Sequence, residues 1–178
     1  MNNLSKLTAK IIDQKKLKSL AESVKNKGFS IVFTNGCFDI LHKGHVEYLA
    51  QAKDKGDVLI VGLNSDDSVR RQGKGKERPI NKIQARQTVL ASLFFVDYIV
   101  EFDEDTPLKL ISLIKPNTLV KGGDYDPSEI NQNAKTYIVG KDIVEANGGK
   151  VEVINLVEGF STTNIVNKLK KDLRSKKT

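Results

Sequence analysis

Phe29-Ser30-Ile31-Val32-Phe33-Thr34-Asn35-Gly36-Cys37-Phe38-Asp39-Ile40-Leu41-His42-Lys43-Gly44-His45 changes character halfway along its length. Residues 29–33 form a short apolar run that reads as a buried strand, closed by Thr34-Asn35-Gly36. The residues from Gly44 onward, 44–55, read as a helix. Both of the chain's histidines fall at this strand-to-helix junction. A helix start presents unpaired N–H groups and about half a positive charge, which suits phosphate. At i and i+3, His42 and His45 point the same way once the turn is helical. Gly44 removes a side chain where a phosphate would approach the backbone. Imidazole donates a hydrogen bond with or without a charge, so two such donors can stabilise charge that grows on a transferring phosphate. Two incidental histidines near a helix start are the bland alternative. A zinc pair is the other, but no His or Cys cluster is present to complete it. Spacing, glycine and placement together favour phosphate.

Similar apolar runs recur at 57–63, 97–102, 118–122 and 150–156, each rich in Val and Ile and bounded by Gly, Asp, Asn or Pro. Helix-length segments lie between and after them, at 81–93, 106–114, 141–147 and 162–173. This alternation predicts an α/β fold: a Rossmann-like parallel sheet of about five strands with helices on both faces. Leu7, Ile11, Ile12, Leu17, Leu20 and Val24 recur at roughly helical spacing and Gly28 closes the segment, so residues 1–28 are expected to form an N-terminal helical extension to a domain over 29–178. Ligands of such sheets bind outside the carboxyl ends of the strands. The two longest irregular stretches, 65–80 and 123–138, both leave such ends, which makes them candidates for a lid or acceptor loop.

A chain of 178 residues fits one domain with a sizeable core. No apolar run approaches the ~20 residues of a membrane span, and the N-terminus lacks the continuous apolar core of a signal peptide. Cys37 is the single cysteine, which excludes an intramolecular disulfide and points to a cytoplasmic setting. The formal charge of +7 sits at the ends: residues 1–28 carry +5, residues 168–178 carry +5, and the body between carries −3. A nucleic-acid binder should show its basic stripe on the body, so solvated helix faces are the better account and neither nucleic acid nor membrane is expected as a partner.

Weaker signals surround the histidines. Gly73-Lys74-Gly75-Lys76 is no Walker A motif; its lysines serve solubility or act as mobile point charges closing over phosphates. Arg86, on a helix, has solvent exposure as its default. Ser161 in Ser161-Thr162-Thr163 is a good N-cap in any protein. Lys121-Gly122-Gly123-Asp124-Tyr125 ends a strand with paired glycines and an acid, fitting a tight turn or close approach of a ligand, with Asp124 near nucleotide or sugar hydroxyls. Cys37 reads as a small packing residue, with no histidine placed to activate it.

The segment Thr34 to His45 resembles the signature of the cytidylyltransferase-like nucleotidyltransferases. Across residues 29–173 the chain is similar to the D-glycero-β-D-manno-heptose 1-phosphate adenylyltransferases, through TNGCFDILHKGHVEYL, RPINKIQAR, FDEDTP, LVKGGDY and IVEANGGKV…EGFSTTNI. The resemblance implies in-line attack of the acceptor's phosphate on the α-phosphorus, with pyrophosphate leaving and no covalent enzyme intermediate. It implies catalytic contacts from His42, His45 and one of Lys74 and Lys76. It assigns the nucleotide to Thr34, Asn35, Gly36, Cys37, Phe38 and Gly44, with Gly123 and Asp124, and with Ser161, Thr162 and Thr163. Asp39 and Arg86 would hold the acceptor, Arg86 by a planar fork that matches two phosphate oxygens. ATP with Mg²⁺, a sugar 1-phosphate acceptor, ADP-heptose for lipopolysaccharide as product and a homodimer are implied in the same way. Many relatives fuse this domain behind a sugar kinase, so a separate kinase is expected to supply the sugar phosphate here. Glycerol 3-phosphate cytidylyltransferases carry an Arg five positions before the serine, where this chain has Leu156, and that departure counts against CTP with glycerol 3-phosphate. A nucleotide-binding module without catalysis is the alternative of another class, and the intact H-x-G-H speaks against it.

Overall fold

A computed structural model of the chain describes residues 2–73, 75, 77–155 and 157–175. Their sheet has six parallel strands in the order β1-β4-β3-β2-β5-β6: β1 Ile11–Ile12, β2 Ile31–Gly36, β3 Val58–Asn64, β4 Tyr98–Phe102, β5 Thr118–Gly122 and β6 Lys150–Ile154. Five of them are the expected strands. The sixth is a correction: Ile11-Ile12 lies in the stretch whose spacing reads as one helix, but it pairs in parallel with β4, Ile11 opposite Ile99 and Ile12 opposite Val100. That stretch is instead α1 (Asn3–Thr8), the strand, a 3₁₀ turn and α2 (Leu17–Asn26). Two adjacent isoleucines suit an edge strand as well as a helix, and Asp13 caps the following turn by accepting from Lys15 N at 2.7 Å.

Alternation along the buried strands feeds two cores. Ile31 and Phe33 face one side with Ile60, Val100 and Leu119, where Leu17 and Ala21 of α2 and Leu110 and Ile111 of α6 (Leu108–Ile114) cover them. Val32 faces the other with Leu59, Val61, Ile99 and Val120, under Leu49 and Ala52 of α3 (Lys43–Lys53) and Leu90 of α5 (Ile83–Ala91). Both faces are thus sealed, which is why the strands read as continuous apolar runs. A further helix, α4 (Asp66–Arg71), interrupts the stretch taken as irregular; Ser65 caps it by accepting from Ser68 N at 3.0 Å, with acids in its first turn and arginines in its last. The remaining helices are α7 (Lys141–Ala146) and α8 (Thr162–Ser175). No helix among the described residues is long and apolar enough to cross a membrane.

The strand order reverses between β2 and β5: the chain winds outward to β3 and β4 on one side and to β5 and β6 on the other. A crevice opens at such a switch point outside the carboxyl ends. Those ends are Asn35-Gly36 of β2 and Lys121-Gly122 of β5.

Candidate active site

A cavity of about 320 Å³ lies at this switch point. Asn35 and Gly36 form its floor from β2, and Lys121 and Gly122 from β5; His42, Gly44 and His45 come from the start of α3, and Ser161, Thr162 and Thr163 from the start of α8. Two helix N-termini therefore open on one space. The first-turn amides of two helices and two partial positive charges meet there, the local electrostatics a polyphosphate requires.

The histidines are held face to face, ring centroids 3.8 Å apart and 19° from parallel. His42 is the N-cap of α3, its Nδ1 accepting from His45 N at 3.4 Å. An accepting Nδ1 leaves the proton of the neutral ring on Nε2, which is then the donor. Burial lowers the pKa of His42 below the ordinary imidazole value and favours that neutral form. Phe38 packs edge-on against His45, centroids 5.1 Å apart, from a left-handed backbone at φ 43°. This conformation is costly for a bulky residue and here folds the ring back over Gly36, where a Cβ would stand 3.0 Å from it. A Cβ on Gly44 would meet the His42 ring at 3.2 Å and Phe160 Cβ at 3.3 Å. Gly44 thus lets the segment ahead of α8 close over the start of α3. Ser161 caps α8, accepting from Asn164 N at 3.0 Å, and Thr162 Oγ1 donates to Ile40 O at 3.4 Å, tying the two helix starts together.

Asp39 and Arg86 do structural work in this state. Asp39, 2% exposed, accepts from Ile80 N at 2.9 Å and Asn81 N at 2.8 Å and is ion-paired with Arg78. It latches the loop after α4 and sets Arg78 into the cavity wall. Arg86 is not the exposed helical arginine its position suggests. Its side chain has no exposure, and it donates to Cys37 O at 2.7 Å, Asn81 O at 3.0 Å and Asp66 Oδ1 at 2.8 Å. The fork described for two phosphate oxygens is spent on two carbonyls and a carboxylate, and it holds the turn after β2 in place. Arg86→Met is expected to lower stability by about 3–5 kcal/mol, because Asp66 and both carbonyls lose their donor. Thermal unfolding of the variant checks this; an unchanged midpoint would show that the arginine is dispensable to the fold.

Thr34 is not among the lining residues but stands behind one of them, Tyr48. It is fully buried, its Oγ1 2.7 Å from Tyr48 Oη, which donates to Val120 O at 3.2 Å. Gly123 is not among the lining residues, whereas Cys37, Phe38 and Asp124 are. Cys37 Sγ donates to Gln72 Oε1 at 3.1 Å. Lys74 and Lys76 lie outside the described residues.

The side chain that sequence reasoning passed over is Lys121. It is 5% exposed, donates to Asn35 Oδ1 at 2.5 Å and lies 5.2 Å over the ring of Tyr125. Burial pulls its pKa down to about 8, with Asp124 opposing the shift. Among the described residues no carboxylate lies within salt-bridge distance of this cation. Its signal was present in Lys121-Gly122-Gly123-Asp124, where a lysine closes an apolar strand at its carboxyl end.

A Rossmann-like sheet with H-x-G-H at the start of the first crossover helix, facing a second helix start across the switch point, defines a nucleotidyltransferase. Residues 33–168 match the cytidylyltransferase-like family, and the chain belongs to it. It is 53% identical over 161 residues to the bifunctional protein HldE of Geobacter metallireducens, and 52% over 159 residues to that of Actinobacillus pleuropneumoniae. These matches cover 90% and 89% of this chain but 31% and 32% of the relatives, so the chain spans about a third of their length. Among solved structures, a lipopolysaccharide core biosynthesis protein from Thermoplasma volcanium superimposes with TM-score 0.56 at 28% identity, covering 73% of this chain and 98% of its own. Pantoate-β-alanine ligase from Francisella tularensis shares the fold, with TM-score 0.58 at 20% identity over 92% of this chain and 78% of its own.

Proposed function

We propose that the chain transfers the adenylyl group of ATP to D-glycero-β-D-manno-heptose 1-phosphate, giving ADP-heptose and pyrophosphate for the heptose of lipopolysaccharide. The observation that carries this reading is the pair of helix starts, α3 and α8, opening on one cavity with His42 and His45 stacked at its edge. An acceptor phosphate oxygen forms a bond to the α-phosphorus while the bond to the bridging oxygen of the leaving pyrophosphate breaks. Negative charge grows on the phosphates during that exchange. His42 Nε2–H and the amides of α3 and α8 are fixed dipoles aimed at it, so catalysis rests on positioning and electrostatics. Lys121 adds a full charge at the floor. Asp39 and Arg86 act by holding the turn after β2 and the loop before α5, and all these residues lie within 29–178.

Mg²⁺ belongs to this reading as the ion carried by the triphosphate, whose charge it screens. Asp124 is a carboxylate at the cavity that would help hold such an ion, which would supply charge screening for the triphosphate. A homodimer and a cytoplasmic setting are part of the same proposal. Support for the heptose acceptor comes from the stretches shared with the heptose 1-phosphate adenylyltransferases and from the similarity to the Thermoplasma lipopolysaccharide core biosynthesis protein.

The test is pyrophosphate release with Mg²⁺, offering ATP and CTP each against heptose 1-phosphate and glycerol 3-phosphate. Turnover confined to ATP with the heptose phosphate is expected. Turnover with CTP and glycerol 3-phosphate would overturn the substrates, and silence in all four would overturn the transfer itself.

A further inference from the structure

Asp39 and Arg78 both line the cavity, and both are buried, at 2% and 7% exposure. Asp39 has a complete structural task. Its Oδ1 accepts from Asn81 N at 2.8 Å and its Oδ2 from Ile80 N at 2.9 Å, while Asn81 Nδ2 donates back to Asp39 O at 2.6 Å. These bonds fasten the turn after β2 to the loop before α5 without any help from Arg78.

Arg78 is the member of this cluster whose donors are not spent. A guanidinium is a fork of several N–H donors. That of Arg78 is ion-paired with Asp39, yet its buried Nε has no hydrogen-bond partner among the described residues. Arg86 is the contrast: it is as deeply buried, and it donates to two carbonyls and a carboxylate. A buried donor left open costs the free protein stability, so its presence in a cavity wall asks for a partner that arrives from the cavity. The donor is cationic, and the partner is therefore an anion.

The transfer supplies one. His42 Nε2 and the helix amides meet the charge on the phosphate under attack. The outer two phosphates leave as pyrophosphate and gain charge as the bridging bond breaks. A planar fork matches two phosphate oxygens at once. Asp39, itself fixed by backbone amides, holds the arginine in place and balances its charge until the ligand enters.

We propose that Arg78 binds the leaving pyrophosphate, its guanidinium taking oxygens of the outer two phosphates of the nucleotide, with Asp39 as its positioning residue. This rests on the cavity being the nucleoside triphosphate site.

The test is calorimetric titration of ATP, inorganic pyrophosphate and AMP, each with Mg²⁺, into the full chain, for the wild type and for Arg78→Gln. Affinities for ATP and pyrophosphate are expected to fall about tenfold or more, the scale of hydrogen bonds to a charged partner, with AMP held within about twofold. A residue that only shapes the wall would weaken all three alike. That result in a folded variant, or unchanged ATP and pyrophosphate affinities, would overturn the proposal. Unfolding midpoints establish that the variant is folded. Should glutamine prevent folding, Arg78→Lys keeps a charge beside Asp39 but loses the fork, and the same split between ATP and AMP is expected at about threefold or more. Wild-type pyrophosphate release from ATP and heptose 1-phosphate separates the proposal from the reading on which it rests. Turnover in the wild type with no split in the variant removes Arg78 from the pyrophosphate and leaves the transfer standing. Silent turnover with the split present keeps the phosphate contact and removes the transfer.

Discussion

His42→Ala is expected to lower turnover about thirty- to a thousandfold, the scale of about 2–4 kcal/mol set by loss of one transition-state donor, while ATP affinity changes little. The difficulty is that His42 has two tasks. Its Nδ1 caps α3, and an alanine at an N-cap costs about 1 kcal/mol of stability. His42→Asn separates them, because asparagine is a strong N-cap but too short to bring a donor where Nε2 lies. The asparagine variant should recover the unfolding midpoint and remain as slow as alanine. Near-normal turnover in either variant, with folded protein confirmed, removes His42 from the chemistry. The cap carries its own pH dependence. Folding disfavours the proton on this ring, so its contribution is complete above the ordinary imidazole pKa and is lost as pH falls through that value toward the lowered one. Protonated Nδ1 cannot accept from His45 N.

The sheet was legible because its strands are buried on both faces and each run of Val and Ile is closed by a turn former. The same rule missed β1, since two residues make no run, and Ile11-Ile12 enters the sheet only through pairing with β4, some ninety positions away in sequence. α4 was overlooked although Ser65, the acids after it and the arginines before Gln72 spelled its ends; at six residues it carries too few apolar positions for periodicity to register. Within the site, local geometry was legible and side-chain direction was not. His42, Gly44 and Ser161 occupy short-range motifs whose spacing fixes where they point. Arg86 lies forty-nine residues from Cys37, and only the folded chain reveals that its guanidinium faces inward. Thr34 is buried under α3, where its hydroxyl meets Tyr48, a cavity-lining residue, so it stands behind the cavity wall and not in it. Lys121 was quoted but passed over because burial, which makes a lysine unusual, is a property of the tertiary fold.

Lys121→Met is expected to lower turnover at least about a hundredfold without lowering the unfolding midpoint at neutral pH. The second half of that statement follows from the sign of the pKa shift. Burial holds the amine near 8, below its unfolded value, so the unfolded chain binds the proton more tightly. Stability therefore rises as pH climbs from about 8 toward the ordinary lysine range, and below 8 the buried charge is a cost to the fold. Methionine removes that cost and fills the same space, against the loss of one hydrogen bond to Asn35. A residue that destabilises its own fold at working pH is retained for what it does when phosphates arrive. The free enzyme accordingly loses its floor cation as pH rises through about 8, and kcat/KM should fall along that limb. Substrate phosphates titrate with a midpoint near pH 6, about two units below this limb, so the limb is not theirs. Arginine stays charged throughout, and Lys121→Arg should flatten the limb whatever activity it retains. A limb that persists in the arginine variant, or a methionine variant with near-normal turnover, would place the phosphates beyond the reach of this amine.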